Sequence, residues 1–363
     1  MINMKNTLMR FVGKIKSLIS PKRKAIPKIE YDPQAESSEN TPSVPLKPEK
    51  PKKKFILSFD GGGNKTIIEV MVLKKIEAVL KEFDADATLQ SAFDLFAGTS
   101  AGGLNALILA YDKNSTWADL KKMSVLKAET IFTKSKKPFY KMMSNKYSSS
   151  GLCEVLSEIF KDDKLEKASC PFLVMAFDTR TLKPVMISNT NEFKDISFVE
   201  AGTATTAAPV YFSPLRLNHE GTAYNLIDGG ITANNPSLFA YKAARKLFED
   251  ADEYHVISLG SYKNPEHFDN TDGTFSWIDI TKGYGLPIQK VYHIAGEETA
   301  SEIMNAIRDV RYLRIENRRG QYSDIFRVDS TSEHDTIRLM EIGEQIADEY
   351  EDKIRDFLKE RFS

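Results

Sequence analysis

Cysteine is nearly absent from this chain: Cys153 and Cys170 are the only two in 363 residues. A pair so spaced makes neither a disulfide framework nor a metal site, and reads as two small buried hydrophobes in a reducing compartment. Long apolar runs are missing too. None approaches the roughly 20 residues that a membrane-spanning helix needs, so a soluble or peripheral chain is expected. Histidine is sparse. His219, His255, His267, His293 and His334 carry no recognisable flanking motif, and no H-E-x-x-H or comparable cluster occurs, so no metal is expected. Internal repeats, nucleic-acid motifs and a long basic helix face in the main body are also lacking, which sets aside nucleic-acid binding.

What is present is ordinary in bulk and uneven along the chain. Hydrophobic residues make up 41% and charged residues 28%, enough for one large domain or two ordinary ones with a sizeable core. The net charge is −1, yet the first 28 residues hold Lys5, Arg10, Lys14, Lys16, Lys22, Arg23, Lys24 and Lys28 and no acid. Leu8, Phe11, Val12, Ile15, Leu18 and Ile19 recur there at helical spacing, so residues 1–24 read as a basic amphipathic segment. Charge interrupts it too often for a secretory signal. A membrane-surface helix, a mitochondrial-type presequence, a partner-binding helix and a solvated tail all stay open for it. Residues 25–53, with prolines among Ser, Glu and Lys, read as a disordered linker.

The folded part is expected over 54–315. Phe55-Ile56-Leu57-Ser58-Phe59 reads as a strand, followed by a glycine turn and a helix from about Thr66 to Phe83. Strand, glycine turn and helix recur at 93–111. Further strands are read at 172–177, 184–188, 224–227 and 254–260, and a short one at 312–315. This alternation predicts an α/β fold with a largely parallel sheet. Residues 288–306 read as a helix. Leu339, Ile342, Ile346, Tyr350, Ile354 and Leu358 form one stripe, so 316–363 are expected to be a helical extension packing on the core.

Three glycine-flanked positions carry the chemistry. Gly98-x-Ser100-x-Gly102 places a serine on a sharp strand-to-helix corner, where Gly98 and Gly102 avoid a clash and the helix N-terminus favours negative charge. Asp60-Gly61-Gly62-Gly63 could offer backbone N–H donors to a developing oxyanion, or cradle phosphate, or be only a tight turn. The P-loop spacing fails there, and so does the dinucleotide fingerprint. Asp228-Gly229-Gly230 ends an apolar strand, where a carboxylate is either functional or the cap of the next helix.

Taken together, these blocks and Thr206-Ala207-Ala208-Pro209-Val210-Tyr211-Phe212-Ser213-Pro214 resemble, in order, the patatin-like phospholipases; the last block continues as Ile231-Thr232-Ala233-Asn234-Asn235-Pro236. The resemblance runs from about Phe55 to Arg314. It implies a three-layer α/β/α fold and a serine lipid acyl hydrolase working through a Ser–Asp dyad, with no metal or cofactor. Ser100 would be the acylated nucleophile, Asp228 the general base, and Gly61, Gly62 and Gly63 the oxyanion hole. Gly98 and Gly102 would shape the nucleophile elbow, the Thr206–Pro214 block the acyl pocket, and Asn234 and Asn235 the loop that holds Asp228. One departure stands out. Family members usually continue the glycine block as x-Arg-Gly, whereas this chain has Asn64-Lys65-Thr66. Lysine lacks the planar guanidinium fork, and threonine restricts the turn to negative φ.

The implied substrates are membrane phospholipids or lysophospholipids, with the membrane surface as partner. An activating protein partner, a secreted bacterial effector and organelle targeting through the basic N-terminus are further implications, beside a cytoplasmic or peripheral-membrane location. Phe132, Lys134, Lys136, Lys137, Phe139, Tyr140, Lys141, Met142, Met143, Lys146 and Tyr147 read as a basic and aromatic docking element, or as a solvated loop. Two other functions stay open on the residues. One is a Ser-His-Asp esterase of the α/β-hydrolase type, which would make His255 or His293 essential. The other is a non-catalytic lipid- or membrane-binding module.

Overall fold

The computed structural model describes residues 51–133, 145–265 and 287–363. The basic N-terminal segment, nearly all of the proline-rich linker, His267 and positions 134–144 of the basic and aromatic stretch lie outside the described residues.

Eight strands form one sheet: β1 (Lys53–Phe59), β2 (Leu95–Thr99), β3 (Phe172–Asp178), β4 (Lys183–Ser188), β5 (Leu215–His219), β6 (Thr222–Asp228), β7 (Glu253–Leu259) and β8 (Val310–Ile315). Their order is β5-β6-β3-β2-β1-β7-β8, with β4 also paired to β3. The five strands β3, β2, β1, β7 and β8 run parallel, while β4, β5 and β6 add antiparallel pairings. The longer helices are α1 (Ile67–Phe83), α2 (Ser100–Tyr111), α3 (Ser149–Phe160), α4 (Phe198–Thr205), α5 (Ser237–Leu247), α6 (Pro287–Ala306), α7 (Glu333–Glu349) and α8 (Glu351–Phe362).

Burial explains the layering. Residues 55–59 of β1 and all of β2 are buried, as strands covered on both faces require. Side chains alternate between two cores. Phe55, Leu57, Phe59, Phe96, Phe172 and Val174 pack under α1, α2, α4 and α7. Ile56, Leu95, Ala97, Leu173, Met175 and Val256 pack on the other face with Ala240 and Ala244 of α5 and Met304 of α6. The result is helix, sheet, helix.

Several elements differ from the sequence reading, which placed no helix over α3, α4 or α5. The stripe from Leu339 to Leu358 belongs to two helices, because Tyr350 has φ −101° and ψ 0° and interrupts the helix between α7 and α8. Strand β5, Leu215–His219, has no counterpart in it; the strand forms by antiparallel pairing with β6.

The register of β3 positions the site. β4 pairs with residues 173–178 of β3 and so occupies one edge along that length. The other edge is shared end to end. β2 takes it up to Thr99↔Met175, and β6, entering from the opposite direction, takes it from Asp178 back to Asp228↔Ala176. Thr99 and Asp228 therefore meet head-on at consecutive register positions, which brings Ser100, the next residue after Thr99, beside Asp228. Asp228 reaches the site because β6 is antiparallel, not because it stands at the carboxyl edge of the parallel strands.

Where β1 ends, Asp60 is held by Arg314 of β8, whose guanidinium reaches across Ser258 of β7. Arg314 Nη1 donates to Asp60 Oδ1 and to Ser258 Oγ, both at 2.8 Å, and Nη2 donates to Asp60 Oδ2. Burial works against the guanidinium charge, but the carboxylates of Asp60 and Glu316 keep it protonated. Asp60 is thereby a structural anchor at the root of the glycine loop. Arg314→Ala leaves Asp60 buried without its partner and is expected to cost about 3–5 kcal/mol in urea unfolding. A loss below about 1 kcal/mol, the range of a surface pair, would contradict this.

Candidate active site

The corner after β2 is tight. A Cβ on Gly98 would lie 2.2 Å from the Gly102 carbonyl oxygen, and one on Gly102 would lie 2.2 Å from that of Asp60. Ser100 itself has φ 55°, a left-handed conformation that costs a non-glycine residue energy and is held by its surroundings. Its N–H donates to Thr205 Oγ1 at 3.0 Å, and that hydroxyl donates to the Met175 carbonyl at 2.6 Å. The preceding Thr99 donates its hydroxyl to the Ala233 carbonyl at 2.6 Å, tying the serine's strand to the loop that follows Asp228.

Asp228 is buried and closely held. Its N–H donates to the Ala207 carbonyl at 3.0 Å, so the Thr206–Pro214 block braces it from behind. Its Oδ1 accepts the Gly230 N–H at 2.8 Å. Burial pushes the carboxyl up to about 6, against the lowering effect of the nearby Ser100 hydroxyl and the Gly230 N–H. Elsewhere in the block, Ser213 and Pro214 line a cleft of about 400 Å³ with Tyr147, Cys153 and Thr203.

The glycine loop lies against both residues. A Cβ on Gly61 would sit 2.4 Å from Asn234 Oδ1 and 3.3 Å from Ser100 Cβ. Of the three amides, that of Gly61 is already engaged, donating to the Asn234 carbonyl at 3.1 Å. No acceptor among the described residues takes the Gly62 or Gly63 N–H. Gly63, at φ 56°, is pressed against Val328, whose carbonyl accepts the Asn64 N–H at 2.7 Å. Asn64 Nδ2 donates to the Ser330 carbonyl at 2.6 Å, and Thr66 Oγ1 to the Gly63 carbonyl at 2.9 Å. Thr66 sits comfortably at φ −70°. The loop is thus braced by residues 328–330, by Ser261 and by Asn234, none of which carried a local signal for that task.

The histidines divide. His219 stacks on Phe193 and contacts the Glu192 carbonyl at 2.8 Å. His255 is buried near the start of β7 between Phe55 and Phe357, remote from the end of the sheet that carries Ser100. His334 is exposed beside Asp335. His293, on α6, comes to the site: its Cε1 lies 3.7 Å from the point where a Gly230 Cβ would be, and Asp228 Oδ1 lies 3.2 Å from the same point. Among the described residues no histidine nitrogen is hydrogen-bonded to Ser100 or Asp228.

The basic and aromatic stretch needs correction where it is described. Phe132 packs on Tyr147 and Phe212. Tyr147 is buried and donates to Asp329 Oδ2 at 2.7 Å, and Lys146 pairs with the same carboxylate. Aromatic packing and a buried acid turn Tyr147 inward, so it is no part of a docking face, while Phe132 and Lys146 stay half-buried. Among the described residues no group of His, Cys, Asp or Glu could hold a metal, and no helix is long and apolar enough to cross a membrane.

An α/β sheet with a serine on a strained corner beside a buried aspartate describes a hydrolase scaffold. The chain belongs to the patatin-like phospholipase family, whose model matches residues 57–241. It is 28% identical over 352 residues to patatin-like protein 2 of Oryza sativa subsp. indica, covering 83% of this chain and 85% of that one. Patatin-2-Kuras 4 of Solanum tuberosum is 28% identical over 349 residues, covering 84% and 91%. Among solved structures, VipD from Legionella pneumophila aligns with a TM-score of 0.43 at 13% identity, over 84% of this chain and 67% of that one. Family membership points to lipid acyl hydrolase activity.

The nearby Ser100 hydroxyl lowers the Asp228 pKa against the effect of burial, so its removal is expected to raise it. Carboxyl NMR titration is expected to give a midpoint of about 6 for Asp228 and a higher one in Ser100→Ala. An unchanged or lower midpoint in the variant would show that the two side chains do not interact.

Proposed function

We propose that the chain is a serine acyl hydrolase that releases fatty acids from membrane phospholipids or lysophospholipids through an acyl-Ser100 intermediate. The observation that carries this reading is the convergence of the strained Ser100 corner and the buried Asp228 at the adjoining ends of β2 and β6. Serine is a poor nucleophile until a base takes its proton, and a carboxylate raised to about 6 is a stronger base than an ordinary aspartate while still ionised at neutral pH.

In the proposed reaction Ser100 Oγ attacks the ester carbonyl carbon as its proton passes to Asp228. The carbonyl oxygen becomes an oxyanion facing the Gly62 and Gly63 amides, because the Gly61 amide is engaged by Asn234. The intermediate then collapses. The bond to the leaving alcohol breaks, that oxygen takes the proton from Asp228, and Ser100 is left acylated. Asp228 next removes a proton from water, whose oxygen attacks the acyl carbon; a second tetrahedral intermediate expels the fatty acid, and Ser100 regains its proton. The membrane is proposed as both substrate and surface. Val210, Ile231 and Tyr292 support this, being exposed apolar side chains in the segments that brace, follow and cover Asp228.

A triad esterase is the second reading, and the approach of His293 to Gly230 is what favours it. Hydrolysis of labelled phosphatidylcholine by wild type, Ser100→Ala, Asp228→Asn and His293→Ala separates the two. The dyad predicts losses of at least about 10³-fold for the first two variants and less than about fivefold for His293→Ala. If Ser100→Ala and Asp228→Asn release fatty acid at the wild-type rate, the assignment is wrong; a loss of about 10³-fold in His293→Ala would establish the triad.

The pH profile makes a separate prediction. Asp228 works only when deprotonated, so kcat/KM should rise with pH through about 6 and level off above. A profile flat from pH 5 to 7 would exclude Asp228 as the base.

A further inference from the structure

A trans peptide holds its carbonyl and its amide on opposite sides, so fixing one aims the other. The Gly62 amide shares its peptide with the Gly61 carbonyl. That carbonyl accepts from Asn234 Nδ2 at 3.1 Å and from Ser261 Oγ at 2.9 Å, while the Gly61 N–H is held by the Asn234 backbone at 3.1 Å. Asn234 therefore helps set the direction of the Gly62 N–H. Its own amide needs fixing in turn, because Nδ2 and Oδ1 have nearly the same shape and opposite hydrogen-bonding roles.

The group that fixes it is Glu297 of α6. Asn234 Nδ2 donates to Glu297 Oε1 at 2.5 Å. A carboxylate only accepts, so it demands the NH₂ side of the amide, as the Gly61 carbonyl does. A flipped Asn234 would set Oδ1 against two acceptors at once. Glu297 is also one of a series, because α6 meets the Asp228 loop turn by turn: His293 near Gly230, Glu297 on Asn234, and Ser301 Oγ on Asn235 Nδ2 at 3.2 Å. The helix has its own anchorage in the buried Ala300 and Met304, so loss of one carboxylate does not undock it.

We propose that Glu297, which lies beyond the stretch matched by the family model, is a positioning residue that holds Asn234 and through it aims the Gly62 amide at the oxyanion. The inference rests on the acyl-hydrolase reading above. It predicts a defect in turnover and not in ground-state binding, because the oxyanion exists only after attack.

The test is hydrolysis of soluble p-nitrophenyl butyrate by the full chain as wild type, Glu297→Ala, Glu297→Gln, Asn234→Ala and the Asn234→Ala/Glu297→Ala double variant, with Ser100→Ala as the zero. Glu297→Ala is expected to lower kcat about 10- to 100-fold, somewhat less than outright loss of an oxyanion donor, with KM within about twofold. Glu297→Gln keeps an acceptor at the same reach and should recover to within about threefold of wild type. In the Asn234→Ala background, Glu297→Ala should have no further effect. Wild-type kcat in Glu297→Ala, additive losses in the double variant, or failure of the near-isosteric Gln to rescue would each overturn the proposal. If Ser100→Ala remains active, the serine reading falls and this proposal with it. If Ser100→Ala is dead and Glu297→Ala is not impaired, only this proposal falls.

Discussion

Two strands lying end to end on a single edge of β3 are what the rest of the site depends on. β4 covers one edge of β3, so β2 and β6 must share the other, and they stop at the adjacent positions Met175 and Ala176. That arrangement brings Ser100 and Asp228 together although they lie far apart in sequence. Because side chains alternate along a strand and register is set by burial, a slip of one residue in either strand would turn core residues outward. The juxtaposition of Ser100 and Asp228 is thus protected by the packing of the whole sheet.

Around that junction the glycine loop has to be held without side chains of its own. Four distant segments hold it: Arg314 grips Asp60 at its root, Ser261 and Asn234 hold the Gly61 carbonyl, and Val328 and Ser330 receive Asn64. Each gives the loop a fixed partner, so on the proposed reading the Gly62 and Gly63 amides are preorganised for a developing oxyanion. The departure at Lys65-Thr66 looks different in this setting. Thr66 occupies an ordinary helical conformation and closes its own hydrogen bond to Gly63.

Much of this was legible from residue order. Continuous apolar runs such as Phe172–Phe177, bounded by turns, mark strands buried on both faces, and glycines around Ser100 mark a corner where backbones touch. The family resemblance implied the roles here proposed for Ser100 and Asp228. What stayed hidden shares one property: it is made by pairs of residues far apart in sequence whose types are individually unremarkable. Arg314 with Asp60, Thr205 with the Ser100 amide, and Glu297 with Asn234 leave no local pattern. The break at Tyr350 was equally hidden, since neither proline nor glycine marks it. Lys146 and Tyr147 misled in the opposite sense, because a basic and aromatic run reads as a surface until Asp329 is found beneath it.

The central claim is that Ser100 forms the covalent intermediate, and trapping that bond tests it most directly. The full chain would be treated with an alkyl fluorophosphonate, a mimic of the tetrahedral intermediate, and the adduct located by peptide mass mapping. The account predicts one equivalent of label on Ser100, formed much more slowly in Asp228→Asn. Labelling at another residue, or none on Ser100 in a preparation that still hydrolyses lipid, would contradict it.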